Sequence, residues 1–237
     1  MSENTVTITI DSKKIQAKVG QRIIQAADDA GIYIPRLCHQ KDLPPRGHCR
    51  LCVVKVDGRP RSACTIPVEE GMAIENDTEE LNAHRRMVLE MMFVEGNHFC
   101  PSCEASGNCE LQAEGYRLGM ITPTLPYIEV HREVDATHPD VFINRDLCIL
   151  CGRCVRASAL QDGKTVFAFE GRGIHKVITV NAEHGLGETT MDVADEAARV
   201  CPTGCLRTKR VGYSIPIGQR AYDHTPIGSE IECAKSS

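Results

Sequence analysis

The sequence predicts an α+β fold, and three observations support this prediction. Short stretches near the start of the chain alternate polar and apolar residues with a period of two. A stretch with helical periodicity follows them. Thirteen cysteines among 237 residues stand in groups at short spacings and divide the chain into segments. Because a period of two indicates strands and apolar residues three and four positions apart indicate helices, we expect more than one small mixed domain.

The first 77 residues carry the signals of a small β-grasp domain. The predicted elements are strands at 5–10, 14–19, 53–56 and near 72–74 and a helix at 22–30. A turn signal at Asp11–Lys13 separates the first two strands, so they should form a hairpin. Gly31 should end the helix, because glycine commonly follows the last helical turn. A hairpin, a helix and further strands in this order favour a β-grasp domain at residues 1–77.

Residues 78–118 are predicted to form a second, mostly helical segment. Five residues recur here at helical spacing: Leu81, His84, Val88, Met91 and Met92. Asp77 followed by Glu80 predicts a capping box at the start of a helix over 78–95. Gly96 should end that helix.

The remaining chain is predicted to hold a third domain and a tail. Residues 119–140 contain prolines and mixed polar residues, which indicates a connecting segment. A second cysteine-rich region begins at Asn144, and Asp192–Val200 is predicted to be a helix. We therefore expect a domain at 119–211. An extended tail should follow at 212–237, where Gly, Pro and Ser occur with little periodicity.

Composition excludes several classes of protein. The net charge of −5 is spread along the chain, and no basic stripe points to nucleic acid. No apolar run approaches the roughly 20 residues of a membrane span. The opening residues lack the basic and apolar regions of a secretory signal, and thirteen cysteines cannot all pair within one chain. We therefore expect a reducing, cytoplasmic location, where cysteines more often act as metal ligands.

Four cysteines in the first domain are spaced as ligands of a [2Fe–2S] cluster. They are Cys38, Cys49, Cys52 and Cys64, with the spacing C-x10-C-x2-C-x11-C. A C-x2-C pair brings two thiolates to one iron, and four thiolates complete such a cluster. Gly47 in the intervening loop should let backbone N–H groups approach the sulfurs. The alternative is a structural zinc site, which also takes four cysteines.

Three cysteines in the helical segment, with a histidine nearby, predict a [4Fe–4S] cluster. Cys100, Cys103 and Cys109 follow C-x2-C-x5-C and leave one corner of a cubane without a ligand. His98, two residues before Cys100, is the candidate fourth ligand. The alternatives are that His98 is an ordinary exposed loop residue or that His84 replaces it, although His84 is expected to lie on a helix face.

A second [4Fe–4S] site is predicted in the third domain. Its first three ligands are Cys148, Cys151 and Cys154, with the C-x2-C-x2-C spacing of bacterial ferredoxins. Those proteins carry a fourth cysteine four residues later, where this chain has Ser158. Cys201, which precedes Pro202, is therefore the predicted fourth ligand. Cys205 could replace it, zinc is again the alternative, and Cys233 is left without a role.

Eleven cysteines and one histidine would thus hold three clusters, which predicts an electron-transfer protein. Clusters close together in one small protein can pass electrons from one to the next. We find no Gly-rich phosphate loop and no nucleophile–base set. We therefore expect no catalytic residue and no bond chemistry on this chain alone, and a flavin or nicotinamide site and a catalytic metal would lie on partner chains.

The three groups in this order resemble the N-terminal iron–sulfur region of the large complex I subunit, which many iron-only hydrogenases share. Cys38, Cys49, Cys52 and Cys64 match its [2Fe–2S] domain, and Cys148, Cys151, Cys154 and Cys201 match its later [4Fe–4S] site. The segments Glu95–Cys103 and Cys109–Gln112 match its histidine-and-cysteine cluster. The wider family places that histidine four residues before the first cysteine, where this chain has Gly96.

Over nearly its whole length, the chain resembles the small diaphorase subunit of NAD-reducing [NiFe]-hydrogenases. Complex I and iron-only hydrogenase chains are expected to continue for hundreds of residues beyond this point. The Glu95–His98 segment and the stretch Arg210–Arg220 are similar to the diaphorase subunit. This resemblance implies a hetero-oligomer with a diaphorase subunit that binds FMN and NAD and with the small and large hydrogenase subunits that carry the Ni–Fe site.

The resemblance therefore implies an iron–sulfur relay within hydrogen:NAD⁺ oxidoreductase. One alternative is the same relay in another NAD-linked complex, such as a formate dehydrogenase or a complex I-like assembly. A zinc-stabilised interaction module without redox activity and a free-standing ferredoxin-like carrier are further alternatives.

Overall fold

The N-terminal domain is built on a five-stranded sheet. The computed structural model describes residues 5–128 and 130–233. The strands are β1 (Thr5–Ile10), β2 (Lys13–Lys18), β3 (Val53–Val56), β4 (Arg59–Ser62) and β5 (Ala73–Glu75). They follow the order β2-β1-β5-β3-β4, in which only the β1–β5 pair is parallel. Helix α1 (Ile23–Asp29) buries its apolar face against this sheet, and Gly31 follows it with a left-handed φ of 71°.

The first hairpin confirms the predicted strand pair but has a shorter turn. Asp11 and Ser12 adopt positive φ angles of 46° and 69°, and Ile8 pairs with Ile15. Two central residues with positive φ match the right-handed twist of the flanking strands. Lys13 is therefore already the first residue of β2, and the turn does not extend to it.

Helix α2 (Glu79–Glu95) begins with a different cap from the one predicted. Thr78 is the N-cap, and its Oγ1 accepts a hydrogen bond from the amide of Leu81 at 3.3 Å. The Asp77 carboxylate instead accepts from the side chain of Asn82 at 2.7 Å. The predicted apolar face is also partly wrong, because Met91 is 47% exposed. The buried face consists of Leu81, Arg85, Val88, Leu89, Phe93 and Val94.

The C-terminal half combines two small sheets with short helices. Its strands are β6 (Val134–Asp135), β7 (Val141–Asn144), β8 (Phe167–Glu170), β9 (Val177–Val180) and β10 (Leu206–Thr208). The helices, counted from the middle segment onward, are α3 (Glu110–Arg117), α4 (Arg153–Leu160), α5 (Glu196–Arg199) and α6 (Ser229–Cys233). Strand β7 lies between β10 and β6, and β8 pairs with β9. These helices and sheets confirm the α+β class.

Helix α5 is shorter than the predicted helix over 192–200. The Asp195 carboxylate accepts a hydrogen bond from the amide of Asp192 and forms an ion pair with Lys164. The amide of Glu196 then donates to Asp162 at 2.9 Å. Because these side chains satisfy the backbone and hold residues 192–195 as a turn, the helix begins only at Glu196.

The tail packs back onto the rest of the chain. The amide of Tyr222 donates to the carbonyl of Gly107 at 2.9 Å, and Arg117 donates to the carbonyl of Ile227 at 2.8 Å. Ile227 is buried against Tyr33 of the first domain. The predicted extended segment is therefore largely irregular but carries α6 and a buried anchor, while its residues 234–237 lie outside the described part.

Among the described residues, no helix is both long and apolar enough to cross a membrane.

Candidate iron–sulfur sites

All four predicted cysteines of the first site meet in the N-terminal domain. They lie in the loops that follow α1, precede β3 and follow β4, and all four are buried. The thiol of Cys38 contacts those of Cys49 and Cys64, and Cys64 also contacts Cys52. These thiol contacts lower the pKa of Cys38 and of Cys52 and raise the pKa of Cys49 and of Cys64, because each contact stabilises one thiolate and the protonated form of its partner.

Backbone N–H groups point at the Cys38 sulfur of the first site, as we predicted from Gly47 in the neighbouring loop. Gly47 adopts a left-handed φ of 64°. The pKa of Cys38 is lowered further by backbone hydrogen bonds from His48 and Cys49 to its sulfur. Such hydrogen bonds stabilise thiolate charge and set the potential of a cluster.

The three cysteines of the second site surround the start of α3. Cys100 opens a single 3-10 turn, and Cys109 is the N-cap of α3. The charges of Cys100 and Cys103 act on Cys109, so the three thiols lie near one another. Burial raises the pKa of Cys109 to about 12, while the amides of Leu111 and Gln112 donate to its sulfur. An iron ion bound at this sulfur would favour the thiolate form of Cys109 instead.

His98 has the chemistry of a fourth ligand for this site. Its Nε2 is buried and makes no hydrogen bond with the described residues. Burial, assisted by the nearby Arg132, lowers the pKa of the imidazole to about 4, so the ring is neutral near pH 7 and can bind metal. The Cys100 thiol contacts the His98 carbonyl at 3.7 Å. His84, the rival in the sequence, is exposed on α2.

Gly96 leaves room for the ring of His98. A Cβ at position 96 would lie 2.6 Å from Nε2 of His98 and 2.6 Å from the carbonyl oxygen of Asp146. Real Cβ atoms do not approach other atoms that closely. The His98 ring therefore occupies the space beside Gly96 that a side chain at position 96 would need.

Five cysteines, not four, meet at the third site. Cys148, Cys151, Cys154, Cys201 and Cys205 line one apolar cavity. The thiol of Cys205 contacts both Cys148 and Cys201. Hydrogen bonding from Cys205 lowers the pKa of Cys148 and lowers that of Cys201 to about 5, whereas the same contacts raise the pKa of Cys205. Both Cys201 and Cys205 therefore lie within reach of this site.

The three sites converge on a shared core. One buried apolar cluster contains Cys38 and Cys49 of the first site, Cys109 of the second and Cys151 of the third. Arg156 of α4 donates to the Cys38 carbonyl at 2.6 Å. The ligand loops of the three sites are therefore packed against one another.

Buried arginines hold this junction, and the sequence interpretation did not identify them. Arg153 pairs with Glu110 at 2.6 Å and donates to the carbonyl of His39 at 2.9 Å, so one side chain touches all three cluster loops. Arg85 on α2 is 1% exposed and donates to the carbonyls of Leu51 and Val53. The available signal was the position of Arg153 immediately before Cys154, but a basic residue there also fits an exposed helix face.

The donor sets fit iron–sulfur clusters. Two sets are purely thiol, and the third combines three thiols with a buried imidazole nitrogen that lacks a partner among the described residues. Within residues 5–128 and 130–233, no three His, Cys, Asp or Glu side chains are placed as ligands of one single metal ion.

Family comparisons match each segment separately. Residues 3–79 match a 2Fe-2S iron–sulfur cluster binding domain, and residues 141–208 match a 4Fe-4S single cluster domain. Residues 85–123 match the NADH-ubiquinone oxidoreductase-G iron–sulfur binding region. The chain thus contains iron–sulfur domains of both types, which favours the cluster interpretation over zinc.

Whole-chain relatives are found among hydrogenase and complex I proteins. The mitochondrial 78 kDa subunit of NADH-ubiquinone oxidoreductase from Candida albicans is 33% identical over 86% of this chain, which spans only 28% of that protein. The gamma subunit of the NAD-reducing hydrogenase HoxS from Cupriavidus necator is 40% identical over 92% of this chain and 94% of that subunit. A chain in the crystal structure of NAD⁺-reducing [NiFe]-hydrogenase in its H2-reduced state superposes with a TM-score of 0.90 at 43% identity, over 93% of this chain and 94% of that one. With its cluster domains, its length and its fold all shared with these hydrogenase subunits, the chain belongs to the family of the gamma subunit of NAD-reducing hydrogenases.

Proposed function

We propose that this chain is the electron-transfer subunit of a hydrogen:NAD⁺ oxidoreductase and that it relays electrons through three iron–sulfur clusters. The observation that carries the proposal is the shared core, in which Cys38, Cys49, Cys109 and Cys151 pack together. Clusters bound by these residues would be neighbours, and no partner chain would be needed to bridge them. Membership of the hydrogenase gamma family supports the choice of complex.

Each cluster is assigned four ligands in this proposal. A [2Fe–2S] cluster is held by Cys38, Cys49, Cys52 and Cys64. One [4Fe–4S] cluster is held by His98, Cys100, Cys103 and Cys109, and the other by Cys148, Cys151, Cys154 and Cys201. When bound, the clusters supply one-electron acceptor and donor centres. The chain fixes their spacing and directs backbone N–H groups at their ligands, as at Cys38 and Cys109.

The division into domains follows from these assignments. We place the [2Fe–2S] domain at 1–77, the histidine-and-cysteine segment at 78–118, the ferredoxin-like domain at 119–211 and the tail at 212–237. Support comes from the separate apolar cores of the first and third domains and from the buried anchor of the tail at Ile227.

Partner chains are required to complete the reaction, because we assign no catalytic residue to this one. We propose a cytoplasmic hetero-oligomer in which a diaphorase subunit carries FMN and binds NAD, while the small and large hydrogenase subunits carry the Ni–Fe site. An exposed apolar stretch supports contact with another subunit. It includes Val211, Tyr213, Ile215 and Ile217, the last 84% exposed, and it lies beside Cys103.

Hydrogen-dependent NAD⁺ reduction by the native complex tests this function. The complex is isolated anaerobically on a tagged copy of this chain, with Cys148→Ser and Cys201→Ser as variants and Cys233→Ser as the matched control. We expect both site variants to lose hydrogen-dependent NAD⁺ reduction while they keep their partners and their NADH-dependent dye reduction. The control should retain both activities.

Two outcomes would change the proposal. A complex that reduces dyes with NADH but never reacts with hydrogen would assign the relay to another NAD-linked enzyme. Full hydrogen-dependent activity in a variant that lacks the third cluster would contradict a relay through that cluster.

A further inference from the structure

Arg132 lies between the loops of the second and third cluster sites. Its backbone amide donates to Oδ1 of Asp146 at 2.6 Å. The carbonyl of Asp146 in turn accepts from the amide of Asn97 at 2.9 Å. Asp146 stands two residues before Cys148, and Asn97 stands directly before His98. Arg132 is therefore fixed at the point where these two ligand loops meet.

The guanidinium of Arg132 is buried with two of its nitrogens unpaired. The side chain is only 5% exposed, and its Nη2 donates to Oε1 of Glu95 at 2.8 Å. Nε and Nη1 are buried and make no hydrogen bond with any residue that the structure describes. Because a buried donor without an acceptor costs free energy, this geometry calls for acceptor atoms at both nitrogens.

The guanidinium of Arg132 is held from the side of the second site, because its partner Glu95 stands three residues before His98. The backbone of Arg132 is held from the side of the third site by Asp146. One buried cation thus lies at the junction of the loops that carry the two [4Fe–4S] sites.

We propose that Arg132 is a positioning residue shared by the two [4Fe–4S] clusters, to whose sulfur atoms Nε and Nη1 donate hydrogen bonds. The proposal rests on the ligand assignment made above. Hydrogen bonds to the sulfurs and nearby positive charge favour the reduced state of a cluster. Each cluster gains one electron on reduction, and the guanidinium keeps its proton throughout. Arg132 therefore raises the reduction potentials of both clusters together.

Glu95 allows the predicted direction of the potential shift to be checked independently. Its carboxylate pairs with Arg132 and is 39% exposed. Removing the arginine would leave a negative charge near the clusters, whereas removing the carboxylate charge would leave the arginine uncompensated. The two changes should therefore shift the potentials in opposite directions, which a loss of packing would not do.

Redox titration of the anaerobically isolated complex, followed by electron paramagnetic resonance (EPR), tests the proposal. The variants are Arg132→Gln, Glu95→Gln and the double variant. Arg210→Gln is the matched control, because Arg210 is 74% exposed and pairs with Asp140 at the surface. We expect Arg132→Gln to lower both [4Fe–4S] midpoint potentials, Glu95→Gln to raise both, and the double variant to fall between them. The [2Fe–2S] potential and the control should stay at the wild-type values.

Iron and acid-labile sulfide are measured on every sample. If Arg132→Gln loses a cluster, Arg132→Lys is titrated in its place, because lysine keeps the positive charge. The direction of the potential shift is then decided by Glu95→Gln, which should still raise both [4Fe–4S] midpoint potentials. Unchanged potentials in fully loaded Arg132→Gln and Glu95→Gln would overturn the proposal, and a shift of only one cluster would overturn the sharing. Absence of two [4Fe–4S] signals from the wild-type complex would instead count against the proposed function.

Discussion

Cys205 is the residue whose role the structure changes most. It lies 4% exposed among the third-site cysteines and contacts Cys148 and Cys201. Cys201 remains the assigned ligand, because it precedes Pro202 as the last cysteine of the bacterial ferredoxin motif precedes a proline. Cys201→Ser should therefore reduce the iron content of the third site and alter its EPR signal. Cys205→Ser should retain the cluster, because serine keeps a hydrogen-bond donor in place.

The opposite outcome would make Cys205, and not Cys201, the fourth ligand of the third site. If Cys205→Ser lost iron while Cys201→Ser kept it, Cys205 would be the ligand. Spacing alone left both open, because the two cysteines are only four residues apart. The iron content of the two variants distinguishes them.

His98 provides the second test at the residue scale. Its buried, unpartnered Nε2 and neutral ring predict that His98→Ala destabilises the second cluster. We expect less iron per chain and loss of the corresponding EPR signal. His84→Ala on the exposed face of α2 is the control and should change neither. A normal second-cluster signal in His98→Ala would contradict ligation by this residue.

The candidate ligands could be predicted because short cysteine spacings encode local loops. The surroundings of those ligands could not. Gly96 ends α2 as predicted, although its φ of −105° is one that any residue adopts. What could not be predicted is that the His98 ring lies against it, where a side chain would clash.

At the scale of elements, the start of α2 offers a direct test. Thr78 Oγ1 accepts from the amide of Leu81, and Asp77 does not cap the helix. Loss of an N-cap costs about 1 kcal/mol, so Thr78→Ala should speed amide hydrogen exchange in the first turn about fivefold. Asp77→Ala should have a smaller effect on that turn. Equal protection in Thr78→Ala and the wild type would show that Thr78 is not the cap.

Elements with clean periodicity were predicted well, and those shaped by tertiary contacts were not. Strand β3 was predicted with its observed bounds, and its residues Val54 and Val56 face a core. Strand β4 was missed because Arg59, Pro60 and Arg61 are exposed on an edge strand and carry no apolar alternation. Helix α4 was missed because its buried face includes Arg153 and Arg156, so polarity no longer indicates exposure.

At the scale of the whole molecule, a buried carboxyl links the first domain to α3. Glu114 is fully buried, and it accepts from the Tyr33 hydroxyl at 2.6 Å and the Arg36 amide at 2.9 Å. Burial raises the pKa of Glu114 to about 7. Folded protein then holds a proton that unfolded chain releases above about pH 4.3. This group therefore makes stability fall as pH rises from about 4 to 7, by at most about 1.4 kcal/mol per pH unit.

Thermal unfolding of the wild type and Glu114→Gln across this pH range measures the effect. The variant should lose part of the decline that the wild type shows between pH 5 and 7, because its amide does not titrate. Glu79→Gln removes a carboxyl that is 82% exposed on α2 and serves as the comparison. Parallel pH profiles for the wild type and Glu114→Gln would mean that Glu114 is ionised throughout this range in the folded chain.

The association of the domains lay beyond prediction from the sequence. Separate domains were predicted because each predicted segment has its own cysteine group and periodicity. The shared core depends on Leu37 after α1, Leu89 of α2 and Leu111 of α3 meeting, and each looked like an ordinary apolar residue. The burial of Ile227 against Tyr33 likewise has no local signal.

The central claim is that electrons pass through three clusters on this chain between hydrogen and NAD. Its most direct test is EPR of the anaerobic complex, reduced in parallel by hydrogen and by NADH. The account predicts that either reductant alone produces the signals of the reduced clusters, and that Cys49→Ser, Cys109→Ser and Cys154→Ser each remove a different one. If the signals removed by these substitutions respond to neither reductant, or if the chain proves to hold zinc in place of iron, the relay is contradicted.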